Sequence, residues 1–412
     1  MKLIASATLL LCATATTAQI HPVTPKAAAT SAASLGINST GILADGYLYV
    51  SGQSAKRPDG TMPENVPAKV RQCLDNVKAV VLEAGLTMDH VVYLQVYLED
   101  ISSYPQLNKV FADYFPKAAP ARAVLGVARV PESPIQITAV AVADLTGRES
   151  VNLPGENAQR GYSSAVLTHD RLFVSTMLGM DPATGKVPED PGAQVNFALD
   201  GLRAVVERAG LTLAHMVFVN PYLTHEIPTG IMNKEYAKRF EFGNTPGRAT
   251  IQVSSLPDGA HIAYTGVAVR DLSQRHSIRP KNMPPSPTAS PCVFAGKTLY
   301  CSAKSGFIPG PVSGVYAATT SQQTHQTMRN QLDNLEEAGM KFDQIVFTTV
   351  YLDDLSDVSQ FDKVYRKYLP GVPPARVTVQ QIAPGSRKPN DDEQYPDLEQ
   401  MSLIAVRSDT GN

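Results

Sequence analysis

The chain contains one unit of roughly 115 residues three times, and this repetition limits the possible folds more than any other feature. Each copy carries one arginine at an equivalent place, and successive arginines are 126 and 128 residues apart: Arg122, Arg248 and Arg376. Each copy also has a helix-ending Ala-Gly pair that is followed 12 residues later by a tyrosine: Gly85 and Tyr97, Gly210 and Tyr222, Gly339 and Tyr351. The period is too long for a solenoid of small repeats, so each copy is expected to be a compact domain with its own core. Three such domains in one chain predict a covalent pseudo-trimer.

The repeats divide the chain into three domains with short joints. Repeat 1 is predicted at 35–147, repeat 2 at 157–273 and repeat 3 at 284–408. Residues 148–156 form a polar joint, and residues 277–291 form a proline-rich, semi-extended joint. Repeat 3 has a polar insertion at 384–397, which is predicted to be a surface loop.

The hydrophobic pattern inside each copy alternates between strand and helix periods. In repeat 1, an Asp45-Gly46 turn between two apolar runs predicts a hairpin. Helical spacing of apolar residues follows from Val70 to Ala84, then a strand at 91–98, a second helix near 107–114 and two closing strands. This order predicts an α+β fold in which two helices cover one face of a mixed sheet. Three copies packed together would cover the other face.

The composition is that of a soluble globular protein, with 43% hydrophobic and 18% charged residues. A net charge of −2 without a long basic run argues against a nucleic-acid partner. Residues 1–18 begin with Met1-Lys2, continue with an apolar stretch and end in small residues, which predicts a secretory signal and a periplasmic or secreted protein. Alternatives are a disordered apolar tail or a lipoprotein modified at Cys12. Residues 19–34 are predicted to be disordered, and no membrane partner is expected after signal removal.

Three cysteines follow the predicted signal, and two of them can pair. Cys292 and Cys301 flank a hairpin that turns at Gly296-Lys297, which sets them opposite each other. A cross-strand disulfide is geometrically plausible there and is permitted in an exported protein. The alternative is two reduced cysteines that serve as small strand residues. Cys73 lies on a helix face and is predicted to be an inert, packed thiol.

Common catalytic patterns are missing from the sequence. The eight histidines form no HExxH pattern or ligand-like pair, so no metal site is predicted. No glycine-rich phosphate loop occurs, and no cofactor is expected. Ser51, Ser175 and Ser302 lack an identifiable histidine base, which argues against a serine nucleophile.

Short motifs at fixed spacing in all three copies resemble the Rid/YjgF family of reactive-intermediate deaminases. The resemblance rests on Val50-Ser-Gly-Gln53, Asn108-Lys-Val-Phe111 and Pro120-Ala-Arg122 in repeat 1. In repeat 2 it rests on Gly161-Tyr162, Val174-Ser175, Met232-Asn233 and Arg248-Ala-Thr250, and in repeat 3 on Cys301-Ser302, Val364-Tyr365 and Pro374-Ala-Arg376. Together these motifs cover essentially the whole chain after the predicted signal.

The resemblance implies three RidA-like, chorismate-mutase-like domains with clefts between them. Family enzymes hydrolyse 2-imino or 2-enamino acids to 2-keto acids and ammonia without a cofactor. By resemblance, the three arginines bind the substrate carboxylate, and a planar guanidinium suits such a bidentate pair. The implied substrate-binding residues are Tyr162, Ser175, Asn233, Ser51, Asn108, Ser302 and Gln136. Arg248 and Tyr162 are the strongest candidates, followed by Arg122, and the partner is expected to be a small carboxylate.

The departures from the family pattern concern its catalytic glutamate and its aromatic residue. The glutamate position holds Gln136, Ala263 and, subject to the insertion, Gln400, with Glu399 one residue away. Tyr162 is kept in repeat 2, while repeats 1 and 3 have Asn38 and Ala289. The second-helix asparagine is kept as Asn108 and Asn233 but is Asp362 in repeat 3. Asp362 could supply a carboxylate.

Two main hypotheses follow from these residues. The first is a cofactor-independent imine deaminase, since a glutamine can still orient water although it cannot accept a proton. The second is an exported module that binds small carboxylates without turnover, as the glutamate is missing from all three copies. A structural or protein-interaction scaffold is the third. We expect a monomeric pseudo-trimer.

Overall fold

The computed structural model describes residues 20–25, 37–117, 119–155, 160–281, 283–310, 314–369 and 371–408. The predicted signal at 1–18 lies outside these residues, as do the predicted disordered residues 26–34. Within the described part of the chain, no helix has both the length and the apolar character needed to cross a bilayer.

Repeat 1 forms a six-stranded mixed sheet with two helices on one face. The strand order is β1-β2-β3-β6-β4-β5, with β4 and β5 parallel and the other neighbours antiparallel. Its elements are β1 (His21–Val23), β2 (Gly41–Ala44), β3 (Tyr47–Ser54), α1 (Val66–Glu83), β4 (Val91–Leu98), α2 (Tyr104–Tyr114), β5 (Ala121–Gly126) and β6 (Ile135–Val142).

Repeat 2 has the same order of elements, with its arginine strand broken into two short pieces. Both pieces pair in parallel with the same neighbour, β10. Its elements are β7 (Glu149–Val151), β8 (Ala165–Leu167), β9 (Arg171–Leu178), α3 (Pro191–Arg208), β10 (Met216–Leu223), α4 (Thr229–Ala237), β11 (Gly247–Arg248), β12 (Ile251–Gln252) and β13 (Ile262–Val269).

Repeat 3 returns to six strands in the order β14-β15-β16-β19-β17-β18. Its elements are β14 (Arg275–Ile278), β15 (Cys292–Ala295), β16 (Thr298–Ser305), α5 (Thr320–Glu337), β17 (Ile345–Leu352), α6 (Val358–Tyr368), β18 (Ala375–Gln380) and β19 (Glu399–Val406). The predicted insertion at 384–397 contains no helix or strand and is mostly exposed, which agrees with a surface loop.

The first helix of each repeat begins and ends at residues that the sequence indicates. Asn65, Asp190 and Thr319 are the N-caps, and each side-chain oxygen accepts a hydrogen bond from the third residue along. The helices stop before glycines with a positive φ, at +77° for Gly85, +76° for Gly210 and +67° for Gly339. A left-handed residue directly after the helix satisfies its last carbonyls and suits glycine. The predicted α+β fold with three tandem domains is confirmed.

The cores explain why three copies pack together. Each repeat has one apolar cluster between its helices and the outer face of its sheet. Two further clusters join residues of all three repeats, such as Tyr97, Tyr222 and Tyr351 in one and Tyr49, Phe173 and Val346 in the other. The inner faces of the sheets therefore cover one another around a pseudo-threefold axis, with the helices outside.

The segments between repeats take part in the sheets. His21–Val23 pairs with Gly41–Ala44, which corrects the prediction of disorder for these three residues. Glu149–Val151 and Arg275–Ile278 pair in the same way with the hairpins of repeats 2 and 3. The first lies wholly within a predicted joint, and the second overlaps the other joint in part. An open hairpin edge leaves unpaired backbone groups, and each preceding segment covers that edge.

The predicted hairpin of repeat 3 holds the disulfide. Cys292 and Cys301 lie directly opposite each other in the ladder of β15 and β16. They form a disulfide with a Cα–Cα distance of 4.0 Å. Gly296, in the predicted turn, has a φ of +60°, as a type II′ turn requires at its first central residue. Cys73 is free and buried, as predicted, and burial raises the pKa of its thiol.

Candidate functional site

Each of the three arginines lies at a boundary between two repeats. The backbone N–H of Arg122 donates to Ser175 Oγ at 2.7 Å, and that of Arg248 donates to Ser302 Oγ at 2.8 Å. The backbone N–H of Arg376 donates to Ser51 Oγ at 2.8 Å, which closes the ring between repeats 3 and 1. We call these boundaries cleft I (Arg122), cleft II (Arg248) and cleft III (Arg376).

The three serines hold neighbouring repeats together. Ser302 Oγ donates to the carbonyl of Ser290 at 2.6 Å, and Ser51 Oγ donates to that of Ser39 at the same distance. Ser175 Oγ makes the equivalent bond to Ser163. Because each hydroxyl has one proton, it donates within its own repeat and accepts from the arginine strand of the other. The serines therefore position the arginine backbone. Ser51 Oγ also accepts from Asn38, whereas Ser175 and Ser302 each keep one lone pair for a ligand.

In cleft I the Arg122 guanidinium is buried among aromatic rings. Its Nη2 donates to Asn108 Oδ1 at 2.6 Å, and its carbon lies 4.2 Å from the centre of the Tyr162 ring. Arg122 is 3% exposed, and burial lowers the pKa of its guanidinium. Its Nη1 is buried without a hydrogen-bond partner among the described residues. A buried, unpaired donor of this kind is suited to an anionic acceptor.

Close packing of repeats 1 and 2 fixes Tyr162 in cleft I. Gly161 has a φ of +76°, and a Cβ there would lie 2.5 Å from the backbone of Phe111 and Ala112. Only glycine allows this approach of the chain to α2. Arg160 also stacks on Tyr162, with its guanidinium carbon 4.1 Å from the ring centre. Arg160 was not predicted as a site residue, although its place two residues before Tyr162 could have indicated it.

Cleft II is the most open of the three around its arginine. Arg248 is half-buried, its Nη1 donates to Asn233 Oδ1 at 2.8 Å, and burial lowers the pKa of the guanidinium. A cavity of about 350 Å³ adjoins it, lined by Arg248, Thr250, Met283, Pro284, Ser286, Ala289, Ser290, Pro291, Ser302, Ala303, Lys304 and Gln400. Residues 283–291 of the proline-rich joint thus form one wall, a role that was not predicted from the sequence.

Cleft III differs because an aspartate carboxylate is paired with its arginine. Arg376 Nη1 donates to Asp362 Oδ1 at 2.6 Å, and both side chains are largely buried. Asp362 stands where Asn108 and Asn233 stand in the other clefts. Asn38, in the place of Tyr162, is buried and donates to Ser51 Oγ at 3.3 Å. Arg376 is already paired with a carboxylate through Nη1, so cleft III is a poor anion site.

The strand register shows that the three residues predicted at the family glutamate position are equivalent to one another. Tyr97 faces Gln136, Tyr222 faces Ala263 and Tyr351 faces Gln400 in equivalent ladders. Glu399 is the next residue, so its side chain points to the opposite face of the sheet. There it accepts a hydrogen bond from Thr327 of α5 and is buried. None of the three clefts therefore has a carboxylate at this position.

The structure brings together most predicted site residues but places the two strongest candidates, Arg248 and Tyr162, in different clefts. Arg122 meets Asn108, Ser175 and Tyr162, whereas Arg248 meets Asn233 and Ser302. Tyr162 and Arg248 belong to different clefts, because each tyrosine position serves the arginine of the preceding repeat. Gln136 lies in repeat 1 with Ser51, on the side of cleft III. Among the described residues, no three His, Cys, Asp or Glu side chains are grouped as metal ligands.

Comparisons with known proteins match the repeats one at a time. The family model described as Endoribonuclease L-PSP matches residues 29–143, 155–269 and 282–384. A RutC family protein of Aquifex aeolicus is 34% identical over 112 residues, which are 26% of this chain and 90% of that protein. The 2-iminobutanoate/2-iminopropanoate deaminase of Rattus norvegicus is 34% identical over 110 residues, which are 26% of this chain and 80% of that protein.

Solved structures match in the same way. The crystal structure of the YjgF gene product from E. coli is 34% identical and covers 26% of this chain and 87% of that chain, with a TM-score of 0.25. A yeast protein, YEO7, is 29% identical and covers 31% of this chain and 100% of that chain, with a TM-score of 0.29.

Proposed function

The chain belongs to the Endoribonuclease L-PSP family, whose relatives here are RutC, YjgF and RidA proteins, and we propose that it is an imine deaminase. The reaction would be hydrolysis of small 2-imino acids to 2-keto acids and ammonia. The observation that carries the proposal is Arg248, which adjoins a cavity of about 350 Å³ and is held by the neutral Asn233. No carboxylate among the described residues forms an ion pair with it.

The geometry of cleft II suits this chemistry. A guanidinium binds a carboxylate through two parallel N–H bonds and so fixes a small acid in one orientation. The imine carbon of such a ligand would then face Thr250 and Gln400, which line the same cavity. Water adds to the C=N carbon, a proton moves to nitrogen, and collapse of the adduct expels ammonia. Gln400 can orient the water through its amide, while the proton passes through solvent.

Cleft I supports the same reaction less directly. Arg122 keeps an unpaired Nη1, and Tyr162 and Asn108 are in place. However, Ala263 occupies the glutamate position there and offers no group for a water molecule. We therefore propose cleft II as the principal site, cleft I as a weaker site and cleft III as inactive.

One observation favours a second function, a binding module without turnover. Gln136, Ala263 and Gln400 leave every cleft without a general base at the glutamate position. Clefts I and II would then retain small carboxylates. The description of the family model names an endoribonuclease, but a net charge of −2 without a basic run does not favour RNA as a ligand.

The test is ammonia release from 2-imino acids that an amino-acid oxidase generates in place. We expect the protein to accelerate release over spontaneous hydrolysis. Arg248→Ala should remove most of the acceleration and Arg122→Ala a smaller part. Arg376→Ala is the matched control and should leave the rate within about twofold, because Arg376 is paired with Asp362. If the protein does not accelerate ammonia release but binds 2-oxobutanoate saturably, the binding module is established instead.

We also propose that the chain is exported and acts as a single-chain pseudo-trimer. The Cys292–Cys301 disulfide supports export, since such bonds persist in oxidising compartments. The direct pairing of repeat 3 with repeat 1 supports the single-chain assembly.

A further inference from the structure

The pseudo-threefold axis passes through a second cavity, of about 90 Å³, that the proposed function does not use. It lies between the inner faces of the three sheets. Arg122, Arg248 and Arg376 do not line it. One water molecule occupies about 10–15 Å³ by this kind of measure, so the cavity has room for roughly six waters or one small molecule.

Aromatic rings form the wall of this axial cavity. Each repeat contributes two rings from equivalent strand positions: Tyr49 and Tyr93, Phe173 and Phe218, Tyr300 and Phe347. Tyr222 and Tyr351 also line the cavity. Aromatic pairs prefer offset or edge-to-face contacts, and eight rings around a small volume offer such contacts to a further ring. The wall therefore favours a ligand with a flat, apolar ring.

Amide and hydroxyl groups form the floor. The central positions of the middle strands hold Gln95, Asn220 and Thr349, one from each repeat. Gln95 Nε2 donates to the hydroxyls of Tyr97 at 2.7 Å and Tyr222 at 3.2 Å. Among the residues that the structure describes, no charged side chain lines the cavity. The floor can therefore exchange hydrogen bonds with a neutral polar group, while an ion would be left without a counter-charge.

Arg171 stands beside the cavity at its other end and is already neutralised. Its Nη2 lies 3.1 Å from Asp45 Oδ2, and its Nη1 donates to the Tyr300 hydroxyl at 3.3 Å. Next to it, the hydroxyl oxygen of Tyr49 is buried beside Arg171 and the Tyr300 hydroxyl, but it makes no hydrogen bond of good geometry with the described residues. An unsatisfied buried hydroxyl is costly, so a ligand that bonds to it gains free energy.

We infer that the axial cavity binds a small neutral molecule that has one aromatic ring and one hydrogen-bonding group, as in phenols. The ring lies among the aromatic side chains and the polar group meets the amide floor or the Tyr49 hydroxyl. Fusion of the repeats makes such a site possible. A trimer of identical chains presents three identical residues around its axis, whereas Gln95, Asn220 and Thr349 create an asymmetric floor for an asymmetric ligand.

Calorimetric titration of the full protein with phenol tests this inference. We expect saturable binding of one phenol per chain and a rise in the melting temperature with phenol concentration. Thr349→Leu fills the cavity and should weaken binding at least tenfold. Tyr49→Phe is a milder change that should weaken phenol binding several-fold. It replaces Thr349→Leu in the test if that variant does not fold. Benzoate, the charged analogue, should bind the arginine clefts and be unaffected by Thr349→Leu.

The arginine variants separate this site from the clefts. Arg122→Ala and Arg248→Ala should leave phenol binding unchanged, since phenol carries no carboxylate. The absence of saturable phenol binding would mean that the cavity holds only water and would overturn the inference. Loss of phenol binding in the arginine variants, with none in Thr349→Leu, would place phenol in the clefts and overturn it equally.

Discussion

At the scale of single residues, the clefts differ in the charge of one side-chain oxygen on the second helix of each repeat. Asn108 and Asn233 offer a neutral oxygen to their arginines, whereas Asp362 offers a charged one to Arg376 at 2.6 Å. A neutral amide orients a guanidinium and leaves its charge for a ligand. A carboxylate takes that charge, and a second carboxylate would then be repelled.

Exchange of these two residue types should exchange the properties of clefts II and III. Asp362→Asn frees Arg376, so the number of 2-oxobutanoate molecules bound per chain should rise by one. Asn233→Asp should pair with Arg248 and weaken binding in cleft II at least tenfold, or about 1.4 kcal/mol. Calorimetric titration measures both the number of sites and the affinity. An unchanged number of sites in Asp362→Asn would show that another feature closes cleft III.

The sequence made part of the site predictable and left another part hidden. Equivalent spacing was sufficient to identify the arginines, the serines and the asparagines, because each lies on a regular element of its own repeat. The contact of Tyr162 with Arg122 depends on how two repeats pack against each other, and local sequence periodicity cannot predict it. The Arg376–Asp362 contact was likewise hidden, since the aspartate was interpreted as a spare carboxylate and not as a partner.

At the scale of elements, repeat 3 has an unusually polar contact between helix and sheet. Thr324, Thr327 and Gln331 of α5 are buried where α1 of repeat 1 buries two valines and a cysteine. Glu399 of β19 lies against them, in the place of Ile135 and Ile262. Burial raises the pKa of Glu399 to about 8, which the hydrogen bond from Thr327 opposes and the Asp397 carboxylate increases.

Glu399 should make the stability of the protein depend on pH. Folding raises the pKa of the Glu399 carboxyl, so the folded state binds its proton more tightly than the unfolded state does. The resulting contribution to the free energy of unfolding is fully present below the usual pKa of 4.5 and is lost as pH rises through about 8. Glu399→Gln should therefore gain stability relative to wild type between pH 5 and pH 9, by up to roughly 4 kcal/mol. Urea unfolding of both proteins at pH 5, 7 and 9 measures the difference. A difference that is constant with pH would contradict the assignment.

Element boundaries were the easiest feature to predict from sequence. The strand at 91–98, the helix end at Gly85 and the hairpin at Gly296 follow from alternation, helical spacing and turn chemistry, all of which act locally. The strands His21–Val23 and Glu149–Val151 were missed because they are short, and their pairing partners lie further along the chain. Their stability comes from the sheet edge and not from their own sequence.

At the scale of the whole molecule, one arginine connects all three repeats. Arg171 of repeat 2 is 1% exposed and stands where repeat 1 has Tyr47 and repeat 3 has Thr298. It pairs with Asp45 of repeat 1 and donates to Thr298 of repeat 3 at 2.8 Å, and its guanidinium stacks on Tyr47 at 4.3 Å. A buried charge with partners in both other repeats ties their packing together.

Loss of this arginine should weaken the whole assembly. Arg171→Met removes a buried partner of Asp45, and the stability should fall by roughly 3–5 kcal/mol. A double-mutant cycle with Asp45→Asn isolates the pair and should give a coupling above about 1 kcal/mol. Arg203→Met is the matched control, because its ion pair with Asp200 is exposed, and it should cost less than about 1 kcal/mol. Equal losses in both arginine variants would refute a special role for Arg171.

Cleft III has a consequence for how the chain can be rearranged. The contact between Arg376 and Ser51, and that between Ser39 and Pro374, join the last repeat to the first without any peptide link. The order of the repeats along the chain is thus separable from their order around the axis. A circular permutant that is opened within residues 277–291 and rejoined through its present ends would enclose the same three boundaries.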